Sequence, residues 1–224
     1  REHTSKSEHF LPGHAGSDVT EDVRYFCEFI KRRDKNYINK KVIDIGAGKG
    51  RNALYFLEQG FEVYATDFIQ EALDELMSRA KLSGLDKNLK IVNCEINNKW
   101  PFSDNFFDYG IDSLSSIDID GYDERCKFRD ELMRTLKHGG MSLFRTVSIN
   151  DEFETELMKR FPGNEKNSSL WPESNKFQKN YSYDEIRDFY KDFHILEITE
   201  YVKQAVKINK KIEATNFRVI LEKP

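Results

Sequence analysis

Cysteine is scarce in this chain: three residues in 224, Cys27, Cys94 and Cys126, far apart and with no CxxC pair. An odd, scattered set excludes a zinc-knuckle pattern and a disulfide framework, so isolated buried thiols in a reducing compartment are expected. No apolar run reaches the roughly twenty residues of a membrane-spanning helix, and the polar N-terminus resembles no signal peptide. A cytoplasmic protein without membrane partners is the expectation. Positive charge is not in excess either: 35 Lys and Arg stand against 39 Asp and Glu, for a net charge of -4. That provides no global field for nucleic acid, which is therefore disfavoured as a partner. Internal repeats and low-complexity tracts are also missing, and no cluster of side chains suggests a metal.

What is present suits one large α/β domain. Hydrophobic residues make up 38% and aromatics 13%, with a third of the chain charged. Short β-rich runs alternate with segments of helical period. Val23, Phe26, Cys27 and Ile30 mark a helix starting from a cap at 18–21 and running to about Lys31. Strands are expected at Lys41–Ile45, Phe61–Asp67, Leu89–Asn93, Phe106–Ile111 and Met141–Val147. Helices are expected from about Arg51, over Gln70–Leu82 and over Tyr122–Leu136. Such alternation predicts a parallel sheet covered on both faces.

Beyond residue 147 the pattern changes. A short helix at Glu152–Arg160 is followed by a polar, irregular stretch with Trp171 and Pro172, the composition of a lid or binding loop. Ser182 with Glu185 three residues on predicts a capped helix to Tyr190. Ile195–Val206 and Ala214–Glu222 read as an antiparallel hairpin at the sheet edge. Residues 1–36 are then an N-terminal arm and helix serving as a lid. Residues 37–224 are the main domain, with 148–180 as a substrate-lid insertion.

The most telling run is Lys41-Val42-Ile43-Asp44-Ile45-Gly46-Ala47-Gly48-Lys49-Gly50. A buried strand entering a glycine turn lets a ligand approach the backbone, and Asp67, closing the second strand, offers a carboxylate to ribose hydroxyls. A dinucleotide site would place a third glycine at position 51, where this chain has Arg51. A nucleotide-dependent oxidoreductase is thereby disfavoured.

In this spacing the chain resembles the class I S-adenosylmethionine-dependent methyltransferases, from about Tyr37 to Val147. The resemblance extends to Trp100-Pro101-Phe102-Ser103-Asp104-Asn105-Phe106-Phe107-Asp108 before the fourth strand, and to Leu132–Gly140 before the fifth. It implies a Rossmann-like, seven-stranded, mostly parallel sheet with helices on both faces and a C-terminal antiparallel hairpin. S-adenosyl-L-methionine is the implied cofactor. The implied binding residues are Asp44, Gly46, Ala47, Gly48, Arg51, Asp67 with Phe68, Glu95 with Ile96, and Asp112 with Ser113. Asp44 reads as supporting the loop amides or the ligand's ammonium group, and Arg51 as facing a ligand carboxylate, Asp44 or solvent.

The base-methylation motif Asn/Asp-Pro-Pro-Tyr/Phe is absent after the fourth strand, where Ile111-Asp112-Ser113-Leu114 stands. With the acidic charge, this favours methyl transfer to a small molecule. A binding module without turnover, or a protein or RNA acceptor, is the alternative. No catalytic residue can be named: displacement from a sulfonium needs alignment and water exclusion more than a fixed acid. His3, His9 and His14 read as solvated rather than catalytic, and Arg145 and Thr146 fall on the ligand-binding rim. Trp171 and Phe177 serve the lid or the substrate.

Overall fold

A computed structural model describes residues 18–172, 174–207 and 210–224. Its centre is a seven-stranded sheet formed by β1 (Lys41–Ile45), β2 (Glu62–Asp67), β3 (Leu89–Asn93), β4 (Phe107–Ser113), β5 (Leu136–Val147), β8 (His194–Lys207) and β9 (Lys210–Glu222). The order is β3-β2-β1-β4-β5-β9-β8. The first five strands are parallel, whereas β9 runs antiparallel to both β5 and β8. The expected topology, hairpin included, is therefore the observed one.

Three helices, α1 (Glu21–Arg33), α2 (Arg51–Glu58) and α3 (Gln70–Leu82), cover one face. They bury Val23, Phe26, Ile30, Phe56, Leu73 and Leu76 against Val42, Val63 and Ile111. The other face carries α4 (Tyr122–Thr135) and α6 (Tyr183–Phe189), which bury Phe128, Leu132, Ile186 and Phe189 against Ile43, Phe144 and Val219. Both faces of the central strands β1 and β4 are thus shielded from water, whereas the outer strand β3 is only partly covered. Ser182 and Glu185 form the expected reciprocal cap of α6.

Several expectations need correction. Thr20 precedes α1, but its side chain makes no capping bond. The fourth strand extends to Ser113, so Asp112 and Ser113 belong to it rather than to the loop beyond. The fifth begins at Leu136, because His138-Gly139-Gly140 is absorbed as an irregularity inside the strand, with Gly139 at φ +73°. The helix expected after β5 is α5 (Glu152–Arg160), but the stretch beyond it is not wholly irregular, since it holds a small antiparallel pair, β6 (Ser168–Leu170) and β7 (Phe177–Lys179). Of the cysteines, Cys27 is buried but Cys94 and Cys126 are only half-buried; all three are free. Residues 208–209, within the lysine-rich turn expected between Val206 and Ala214, and the residues before 18, with His3, His9 and His14, lie outside the described residues.

Candidate functional site

In a doubly wound sheet the crevice lies where successive strands depart in opposite directions, at the carboxyl ends of the strands. Here that point falls between β1 and β4, and the predicted residues gather there. Asp44 pairs in register with Ala65 and Ile111, and Ile45 with Thr66 and Asp112. The turn after β1 is held from both sides. The Ala47 N–H donates to the Thr66 carbonyl at 2.9 Å, and the Ser115 hydroxyl donates to the Ile45 carbonyl at 2.8 Å.

Two of the turn's glycines do different work. At Gly50, which adopts φ +80°, an added Cβ would stand 2.1 Å from Leu76 Cδ1. Only glycine lets α2 and α3 close there. Gly50 thereby supplies the close packing that a third glycine at position 51 would otherwise give. At Gly48, φ +54°, a Cβ would meet nothing within 4 Å. That backbone faces open space.

Asp67 ends β2 and ties the turn down. Its Oδ2 accepts the Gly48 N–H at 2.8 Å and its Oδ1 accepts the Ile69 N–H at 2.9 Å. Each oxygen retains a further lone pair. Phe68 beside it is 51% exposed. Glu95 is exposed and accepts from the Asn98 amide at 3.0 Å. Ile96 is half-buried against the second core cluster, and its carbonyl receives the Trp100 indole N–H at 3.0 Å. Cys94, between β3 and Glu95, has its thiol pushed up to about 11 by burial and so stays protonated.

Asp44 is the most unusual member. It is 1% exposed, and its Oδ2 has no hydrogen-bond partner. Burial pushes the carboxyl up to about 7, while the Ala53 backbone N–H and the Arg51 guanidinium pull it the other way. A buried carboxylate oxygen without a donor is costly, and a cation or N–H group arriving beside it removes that cost. A ligand bearing a nucleoside, an ammonium group and a sulfonium matches this open backbone, the Asp67 carboxylate and the orphaned Asp44 oxygen.

Asp112 is differently employed. Its Oδ1 accepts the backbone N–H groups of Ser115 (3.0 Å) and Ser116 (3.1 Å), and its Oδ2 accepts the Ser116 hydroxyl. Fully buried, it organises the turn after β4 rather than facing open space. Ser113 is half-buried and accepts from Arg145 Nη1 at 3.4 Å. Arg51 has no ion-pair or hydrogen-bond partner among the described residues. Its pKa is lowered by burial and by the facing Arg145, and Asp44 opposes that shift.

One part of the site was not foreseen. Asp22 of α1 is 2% exposed and accepts from the Tyr201 hydroxyl of β8. Its Oδ2 lies 3.1 Å from Arg145 Nε, and its Oδ1 lies 3.7 Å from Arg218 Nη1. The signal was legible: Asp22 stands four residues before Phe26 and eight before Ile30, on the apolar stripe where a charge demands a partner. On the opposite flank, the Trp171 ring lies tilted by 40° against Phe153 with centroids 5.7 Å apart, and its indole N–H donates to Gln178 Oε1 at 3.2 Å. Phe177 is buried. Among the described residues no group of His, Cys, Asp and Glu could hold a metal ion, and no helix is long and apolar enough to cross a membrane.

Comparison with known proteins agrees with this layout. Residues 42–140 match the family model of the methyltransferase domain. Among solved structures, the chain is similar to an S-adenosylmethionine-dependent methyltransferase of Methanosarcina mazei: TM-score 0.71, 20% identity, covering 92% of this chain and 98% of that one. It is also similar to the 1,6-didemethyltoxoflavin-N1-methyltransferase of Burkholderia thailandensis, solved with its acceptor and S-adenosylhomocysteine: TM-score 0.67, 15% identity, 97% and 84% covered. The [4+2]-cyclase SpnF shares the fold at TM-score 0.67 and 14% identity, with 89% and 81% covered. No curated protein matches the chain significantly.

Proposed function

We propose that this chain, which carries a class I S-adenosylmethionine-dependent methyltransferase domain, methylates a small-molecule acceptor by in-line displacement. The observation that carries the reading is the buried, unpartnered Oδ2 of Asp44 beneath a glycine turn whose Gly48 is open. When bound, S-adenosylmethionine supplies a methyl group on a sulfonium whose departure leaves a neutral thioether.

The chain's own residues then have to bind, orient and exclude water. Asp67 accepts from the ribose hydroxyls with its free lone pairs, Phe68 covers the adenine, and Glu95 with Ile96 meets the base's amino edge. Asp44 and Arg51 receive the ammonium and carboxylate of the methionine part, while Gly46, Ala47 and Gly48 provide the close backbone. Asp112 and Ser113 act from the end of β4, Asp112 by holding the turn. Residues 148–180 close over the acceptor. Support for a small acceptor comes from the net charge of -4 and from the likeness to the toxoflavin-precursor methyltransferase.

Calorimetry with S-adenosylmethionine, followed by methyl release from a panel of small nucleophiles, tests the reading. Binding by the wild type, weakened at least about tenfold (about 1.4 kcal/mol) in Asp67→Ala, is expected. Absent binding, or unchanged affinity in that variant, refutes it. The likeness to a cyclase favours one second reading, a pocket that binds the cofactor without transferring its methyl group. Cofactor binding with no release from any acceptor would select it.

A further inference from the structure

Arg145 and Arg218 meet at Asp22 on the α1 side of the sheet, at the carboxyl end of β5, and the charges of Arg51 and Lys203 act on the same place. Arg218 is satisfied, lying 3.1 Å from Glu197 Oε1 and stacked over the Tyr25 ring at 3.6 Å. Asp22 serves Arg145 and, at longer range, Arg218. Lys203 lies two residues along β8 from Tyr201 and hence on the same face of that strand. Neither Lys203 nor Arg51 has a carboxylate within ion-pair distance among the described residues. Burial, then Arg145 and Arg51, hold the Lys203 ammonium down to about 8, against the pull of Asp22 and Glu21.

Lys203 and Arg51, partly buried and without an ion pair of their own beside the paired Arg145, add positive charge that lowers stability unless a further negative group arrives. Arg145 also reaches Ser113 at the end of β4, which places the cluster against the cofactor crevice. The geometry points to an anion subsite, centred on Lys203 and Arg145, that receives a carboxylate, phosphate or sulfate group carried by the methyl acceptor. A planar guanidinium beside a mobile ammonium suits such an oxyanion. Arg51, nearest Asp44, is left to the cofactor's own carboxylate. This assignment rests on the methyl-transfer reading and makes it more specific: the acceptor is an anion.

Sulfate and malonate serve as probes, titrated by calorimetry at constant ionic strength into the free protein and into the protein saturated with S-adenosylhomocysteine. The expected result is binding to the saturated protein, weakened at least about tenfold in Lys203→Gln and restored in Lys203→Arg, with S-adenosylhomocysteine affinity unchanged in both variants. Binding to the free protein that S-adenosylhomocysteine abolishes would overturn the inference, because the cations would then serve the cofactor's carboxylate. So would a Lys203→Gln protein with weakened cofactor affinity, or absent probe binding in both states. Failure of the wild type to bind S-adenosylhomocysteine refutes the methyl-transfer reading itself, and is read in a separate titration.

Discussion

At the scale of single residues, Asp44 sets the clearest conflict between stability and binding. Its carboxyl is raised to about 7 chiefly by burial, so the folded protein holds a proton that the unfolded chain gives up near the ordinary carboxylate range. Between those limits the native state binds more protons than the unfolded state, and stability therefore falls as pH rises through the interval. Replacing the carboxylate by its neutral isostere removes that loss. Asp44→Asn is expected to be more stable than the wild type by about 1–3 kcal/mol at about pH 8, with little difference near pH 4. Thermal unfolding across this range checks it. The same variant should bind S-adenosylmethionine at least about tenfold more weakly, because the group that meets the ligand's positive charge is gone. Sequence alone identified Asp44 as a residue in need of donors, since a strand-end carboxylate on an apolar run is conspicuous. It could not tell that Asp112 is consumed by Ser115 and Ser116, because that depends on where the turn after β4 folds back.

At the scale of elements, local chemistry was readable wherever it is short-range. The ends of β3, α3 and α6 coincide with alternation, a glycine stop and a capping box, each decided within a few residues. Ser182→Ala should therefore cost about 1 kcal/mol in denaturant unfolding. The misjudged elements depend on distant partners. The β5 strand starts early because Leu136 pairs with Phe107 across the sheet, and β6 and β7 exist only by pairing with each other. Gly50 belongs to this second kind: its need for glycine comes from Leu76, twenty-six positions away. Gly50→Ala is expected to destabilise by about 2–4 kcal/mol, from overpacking and a positive φ together. Gly48→Ala, with open space around it, should cost about 1 kcal/mol while impairing cofactor affinity more than stability. Parallel denaturation and calorimetry of the two variants separate these effects.

At the scale of the whole molecule, the strand order was legible as a class but not in its closure. The bonds from Asp22 to Tyr201 and Arg218 join the first described helix to the last two strands. Losing the Tyr201 hydroxyl in Tyr201→Phe should cost about 1–2 kcal/mol, read by denaturant unfolding, since a buried carboxylate oxygen loses its donor. The position of β9 has a consequence for biosynthesis. It lies between β5 and β8 yet is made after both. A nascent chain therefore presents the bare edge of β5 until β9 leaves the ribosome, and β8 cannot dock directly on that edge without shutting β9 out. Assembly of the binding face must wait for β9, so a chain stalled or clipped before that strand would carry the glycine turn but lack the strand that flanks Arg145.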